Sequence, residues 1–215
     1  LDGRTLLPGF IDTWGHFALF AQQSLGVNLG YFSDAPPHDK ADVLALLKAA
    51  SPFNGWVIGY GYYAALSSDG ALTLADLDAA FPETPVLIST LSTLTGQLNS
   101  AGIAKLGLTP TTPVPQPGQI VRDPKTGALT GALEFAPFLA AQAAAVGSYS
   151  QQQAIETFQA AEALLVRQGY TTVQTYQLLP KEIANLRAAF DRGAISVDVI
   201  GLPSVSYATS GRIVQ

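Results

Sequence analysis

The 215-residue sequence has no cysteine, no methionine, only two histidines and just 13% charged residues. Without cysteine there is no disulfide framework, no thiolate metal site and no cysteine nucleophile. The 11 Lys+Arg are outnumbered by 16 Asp+Glu, a formal net charge of -5. That balance offers no basic face to a nucleic acid and no polybasic segment to an anionic membrane. No run of 18 apolar residues occurs, so no membrane span is expected. The opening Leu1-Asp2-Gly3-Arg4 has neither the basic nor the apolar region of a signal peptide. A chain that begins at Leu1 and lacks methionine is expected to be a portion of a longer protein. The compartment stays open, with the cytoplasm favoured.

What is present is apolar. At 48% hydrophobic, the chain buries enough surface to fold. The run Thr5 to Trp14 reads as a buried strand entered through Pro8-Gly9, and Trp56 to Tyr60, Pro85 to Thr90, Tyr170 to Tyr176 and Ile195 to Ile200 as further strands. Helices are expected over Ala41 to Ala50, Leu74 to Ala80, Asn99 to Leu106, Phe135 to Val146, Ser150 to Gln168 and Pro180 to Gly193. Ser150 with Gln153 forms a capping box at the start of the fifth of these. Four prolines between Thr109 and Gly118 exclude a regular element there, and Arg122 to Gly127 reads as the turn of a hairpin. After Gly201 there is no clear pattern. Strands alternating with helices predict an α/β fold with a parallel sheet of about five strands, fewer than a closed (β/α) barrel requires.

The residues give few sites for chemistry. There is no G-x-S-x-G elbow, P-loop or G-x-G-x-x-G. His38 falls in the loop Asp34-Ala35-Pro36-Pro37-His38-Asp39 and reads as solvated. His16 follows the first strand at its C-terminal end, where parallel α/β folds build their sites. Strand alternation puts Asp12, Trp14 and His16 on one face if the strand persists that far. The tyrosines of Gly59-Tyr60-Gly61-Tyr62-Tyr63 read as pocket lining or packing, and Trp14 as core or the wall of a binding site.

A series of segments resembles the amidohydrolase superfamily, in particular its family 3 and the branch that includes N-substituted formamide deformylase-like enzymes. Pro8-Gly9-Phe10-Ile11-Asp12-Thr13-Trp14-Gly15-His16 resembles the first-strand motif PGFID-x-H-x-H. Gly55-Trp56-Val57-Ile58-Gly59-Tyr60-Gly61, Asp76-Leu77-Asp78 with Pro82 to Val86, Leu98-Asn99-Ser100, Ile120 to Glu134 and Gly169 to Gln174 are similar to later motifs of that branch, in order. The resemblance implies a TIM-type (β/α) barrel. Only part of that barrel is expected here, as one domain over residues 1–215 with an insertion at about 108–134 holding a small β-hairpin near 118–134. It implies a divalent metal, with zinc favoured, and hydrolysis of an amide-type C–N bond in a small-molecule substrate by metal-activated water.

By the same resemblance His16 is a metal ligand, Glu134 a ligand or bridge, and Asp12 an orienting carboxylate behind them. Trp14, Tyr60, Tyr62 and Leu94 fall at the pocket. Three positions depart from the pattern: the first metal histidine corresponds to Trp14 and another histidine of the branch to Leu94, neither of which offers a lone pair, and Thr175 follows Gln174 where the family often has Asp. No histidine follows His38, so the ligands of the barrel's second half have no counterpart. The alternative reading is therefore a relative without turnover, or a self-associating half-barrel, that binds a small ligand or partner. A homodimer, or the remainder of the same polypeptide, would cover its open sheet edges.

Overall fold

The computed structural model of the protein describes residues 2–3, 5–30 and 35–204. The strands in chain order are β1 (Phe10–Ile11), β2 (Val27–Asn28), β3 (Val57–Tyr62), β4 (Val86–Thr90), β5 (Thr95–Leu98), β6 (Gly118–Arg122), β7 (Leu129–Phe135), β8 (Tyr170–Leu178) and β9 (Asp198–Pro203). The helices are α1 (Phe17–Gln23), α2 (Lys40–Ala49), α3 (Leu74–Ala80), α4 (Ser100–Lys105), α5 (Ala136–Val146), α6 (Gln151–Arg167) and α7 (Pro180–Asp191). All five expected strands form, the first and last with shifted bounds. The patternless tail begins with the end of β9, and its residues from 205 on lie outside those described.

The chain divides into two compact units, residues 1–24 with 149–215 and residues 25–148. In the first, β1, β8 and β9 form a parallel sheet in that order. Strand alternation sends Val173 and Thr175 of β8 into the core, at 0% and 1% exposure. There Val173 shares a core with Phe17 of α1, Ile155 and Phe158 of α6, and Leu186 of α7. Phe17 and Phe158 stack with ring centroids 5.7 Å apart. The capping box at Ser150 closes as its sequence predicts: Gln153 N donates to Ser150 Oγ at 3.1 Å, and Ser150 N to Gln153 Oε1 at 2.9 Å.

The second unit holds a six-stranded mixed sheet in the order β2-β3-β4-β5-β7-β6. Pairing is parallel from β2 to β4 and antiparallel from β4 onward. The expected hairpin is therefore not an appendage: β5, a short strand interrupted by Gly96, splices β7 and β6 onto the parallel strands. Gly96 is required there, because a Cβ would collide with the Phe138 ring of α5. Apolar residues lie on both faces of β4, with Val86 and Ile88 in one core beside Leu47 and Leu77, and Leu87 in another beside Trp56, Leu98 and Phe138. Burial on both faces is the mark of a strand covered by helices, and each such side chain contributes about 1.5–3 kcal/mol.

Neither sheet closes into a barrel among the described residues. The fold is mixed α/β with two separately described sheets, which is coarser than the partial barrel implied by the resemblance.

Candidate functional site

The turn after β1 is held by its own polar groups and by β8. Asp12 N donates to Thr172 O at 2.9 Å, the last ladder bond of the strand. The Asp12 side chain then bends the chain, since Oδ1 accepts from Trp14 N at 3.2 Å, an Asx-turn in place of continued pairing. Gly15 is buried against β8, where a Cβ would sit 2.6 Å from the Gln174 carbonyl oxygen and against the Asp12 carboxylate. His16 forms an isolated antiparallel bridge with Thr175, and its carbonyl accepts from Phe20 N at 2.8 Å. α1 has no side-chain cap from His16, its N-terminal neighbour; Thr175 Oγ1 instead accepts from Ala18 N at 3.1 Å. His16 thus has its backbone fixed between a strand and a helix.

Its side chain meets Tyr176. The phenol oxygen and His16 Nε2 share a hydrogen bond of 2.8 Å, with ring centroids 4.2 Å apart. Trp14 leans on the same phenol ring, centroid to centroid 5.3 Å at 35°, while 72% of the residue stays exposed. Tyr176 sits at an irregularity of β8: it opposes Leu202, whereas Leu178 opposes Pro203, and Gln177 between them has φ of 58°. Such a bulge re-aims the side chain beside it. Two residues before Tyr176 on the same strand, Gln174 has a buried Oε1 that meets no donor among the described residues.

In the other unit, Glu134 lies on β7 opposite Thr95 of β5 and Gln119 of β6. Its carboxylate has no hydrogen-bond or ion-pair partner among the described residues. The next residue, Phe135, has φ 52° and ψ -122°, a conformation rarely held by a bulky side chain. Phe135 N donates to Leu94 O at 2.7 Å, so Leu94, exposed in the β4–β5 turn, lies at the end of the strand carrying Glu134. Tyr62 is buried, and its hydroxyl accepts from Leu72 N at 2.8 Å. Tyr60 is half-buried. Burial raises the phenol pKa of both tyrosines above the ordinary value.

The structure thus gathers Asp12, Trp14 and His16 in one unit, and Leu94 with Glu134 in the other. A divalent metal needs three or four lone pairs directed at one point. Among the described residues no group of three or more His, Asp or Glu is placed to hold one. Trp14 has no lone pair to give, and His16 Nε2 is already bonded to Tyr176. The donors present do not fit the metal that the resemblance implies. Tyr176 and Gln174 were not singled out in the sequence. The signal available was alternation, which puts both on the face of β8 opposite Val173 and Thr175.

A model described as the amidohydrolase family matches residues 1–212. The chain is 31% identical over 137 residues to YtcJ of Bacillus subtilis, whose name places it among amidohydrolases; the match covers 62% of this chain and 25% of that protein. It is 31% identical over 140 residues to N-substituted formamide deformylase of Arthrobacter pascens, covering 62% and 24%. It is 32% identical over 125 residues to the exoenzymes regulatory protein AepA of Pectobacterium carotovorum, covering 55% and 26%. Two crystal structures of uncharacterized metal-dependent hydrolases share the fold. One, from Pyrococcus furiosus, has a TM-score of 0.58 at 16% identity over 90% of this chain and 37% of that one. The other, from Pyrococcus horikoshii, has 0.61 at 17% over 91% and 36%. The chain therefore spans about a quarter of the curated relatives it matches, and little more than a third of the solved chains.

Proposed function

The chain belongs to the amidohydrolase family, and on that premise we propose that it binds a small organic molecule at the turn after β1 without metal-dependent turnover there. One observation carries the reading. Trp14, which by the resemblance stands where the family has its first metal histidine, leans on Tyr176, and His16 bonds the same Tyr176 through Nε2. A metal centre lacking one imidazole and competing for the other loses the charge and geometry that acidify water.

The chain's own residues then act as a recognition surface. Asp12 supplies charge, Trp14 and Tyr176 supply flat apolar area, and His16 with Tyr176 supplies a paired donor and acceptor. The test is to load the purified chain with zinc, remove the excess, and measure metal content together with hydrolysis of an N-substituted formamide. The expected result is no retained zinc and no formate release. One zinc per chain with formate release that His16→Ala abolishes would overturn the reading.

A second reading, hydrolysis of an amide-type C–N bond, has one observation in its favour. The unpartnered Glu134 carboxylate, next to a backbone held at positive φ, is what a ligand-bearing strand end offers. Glu134→Gln separates the two: the hydrolytic reading requires it to remove formate release, and the binding reading requires no release to begin with.

A further inference from the structure

Replacing an imidazole by an indole exchanges a lone pair for a π face. Among the described residues the turn after β1 does not offer what a metal dication needs, but it carries a negative charge at Asp12. Asp12 has no ion-pair partner among the described residues. Its carboxylate is fixed by the Trp14 amide and packed against Gly15, so it stays on the indole's own turn. Trp14 is 72% exposed, so much of the indole is open to solvent, and its ring lies 5.3 Å from that of Tyr176. The basic side chains of this unit whose partners are given are engaged elsewhere: Lys181 lies over the Tyr149 ring, and Arg192 donates to Gln151 and Gln152.

An open indole face beside an uncompensated carboxylate suits one chemical class. A small organic cation with a weakly hydrated, methylated head is drawn to the ring quadrupole, strips little water and needs no lone pair. We propose that Trp14, Tyr176 and Asp12 form a binding site for a small organic cation, a quaternary ammonium or alkylated amine. The proposal rests on the metal-free reading of this turn and names the ligand it would take. A neutral flat ring would leave Asp12 unpaired. An anion would be repelled by Asp12, within a chain of net charge -5.

The experiment uses choline as the probe, titrated into the full chain at pH 8, above the ordinary range of imidazole, and followed by saturation-transfer NMR on its methyl signal. The control is 3,3-dimethyl-1-butanol, which has the same shape without the charge. Choline should saturate with a Kd in the millimolar range, and the neutral isostere should bind about five-fold or more weakly. Trp14→Ala should weaken choline about five-fold or more, and Asp12→Asn about three-fold. Both variants change side chains at least partly open to solvent; circular dichroism melting verifies that they fold. Equal binding of the isostere would overturn the proposal, as would choline binding that ignores Trp14→Ala or no choline binding up to about 50 mM. Zinc added to the choline complex keeps the two claims apart. Zinc that displaces choline while the Trp14 and Asp12 dependence holds sinks the metal-free reading and retains the cation site. Choline that stays bound supports both.

Discussion

The stretches of this chain that resemble the family's motifs serve two different ends in the structure. Asn99 lies at 0% exposure with its side chain fully used. Oδ1 accepts from Val86 N at 2.8 Å and Gly102 N at 2.9 Å, while Nδ2 donates to Phe81 O and Thr84 O, both at 2.8 Å. Asp78, from another family-like stretch, accepts from Ser100 N and Ser100 Oγ at 2.7 Å. The turn from Asp12 to His16 is largely exposed, with Trp14 at 72%. Motif residues that satisfy buried backbone cannot be exchanged cheaply, because each orphaned group costs about 1–3 kcal/mol. Residues that face solvent to hold a ligand can be exchanged with no loss of fold.

That contrast can be tested by mutation. The largest effect is expected at Asn99→Ala, which strands two backbone N–H and two carbonyl groups and should cost at least about 3 kcal/mol, read as a lowered urea midpoint. A shift no larger than that of a surface mutant would mean the network is not structural. Gly15→Ala comes next, at about 1–3 kcal/mol, because its Cβ needs space held by the Gln174 carbonyl. It should also perturb the His16 and Tyr176 ring signals in NMR, joining the buried and exposed parts of the turn.

A pH-dependent effect is expected at the start of α3. The Thr73 amide and hydroxyl, then the Lys40 ammonium, hold the Asp76 carboxyl down to about 2. A folded value below the ordinary 3.8 stabilises the fold above that pH and loses its contribution as pH falls toward 2. The stability gap between the wild type and Asp76→Asn should therefore close between about pH 4 and pH 2, and a gap independent of pH would refute the assignment. The smallest effect is expected at Trp14→Ala, within about 0.5 kcal/mol, since the indole is mostly in water. A large loss there would make Trp14 a packing residue and erase the contrast.

Much of the scaffold was legible in the sequence because its signals are local. The capping box of α6 needs only Ser150 and Gln153, and β4 and β8 announce themselves through short apolar or β-branched runs bounded by Pro85 and Gly169. Where the cause is remote, the sequence is silent. α1 takes its first-turn acceptor from Thr175, 157 residues away, so no local cap marks it. β5 reads Thr-Gly-Gln-Leu and owes its place to Phe138 and to neighbouring strands rather than to propensity. The first strand was expected to run from Thr5 to Trp14 but pairs only over Phe10–Ile11, because the Asp12 side chain turns the chain. The site divides along the same line. His16 and Asp12 stood out through their place after a strand, whereas Tyr176 joins them only through the bulge at Gln177.

Zinc calorimetry on the wild-type chain and on Trp14→His tests most directly whether the side chain at position 14 decides metal binding at the turn after β1. Both side chains at positions 14 and 16 converge on the Tyr176 ring, so a histidine at 14 stands beside His16. The account predicts no measurable zinc binding by the wild type and affinity at least about ten-fold tighter in the variant. Stoichiometric zinc binding by the wild type that disappears in His16→Ala would contradict it.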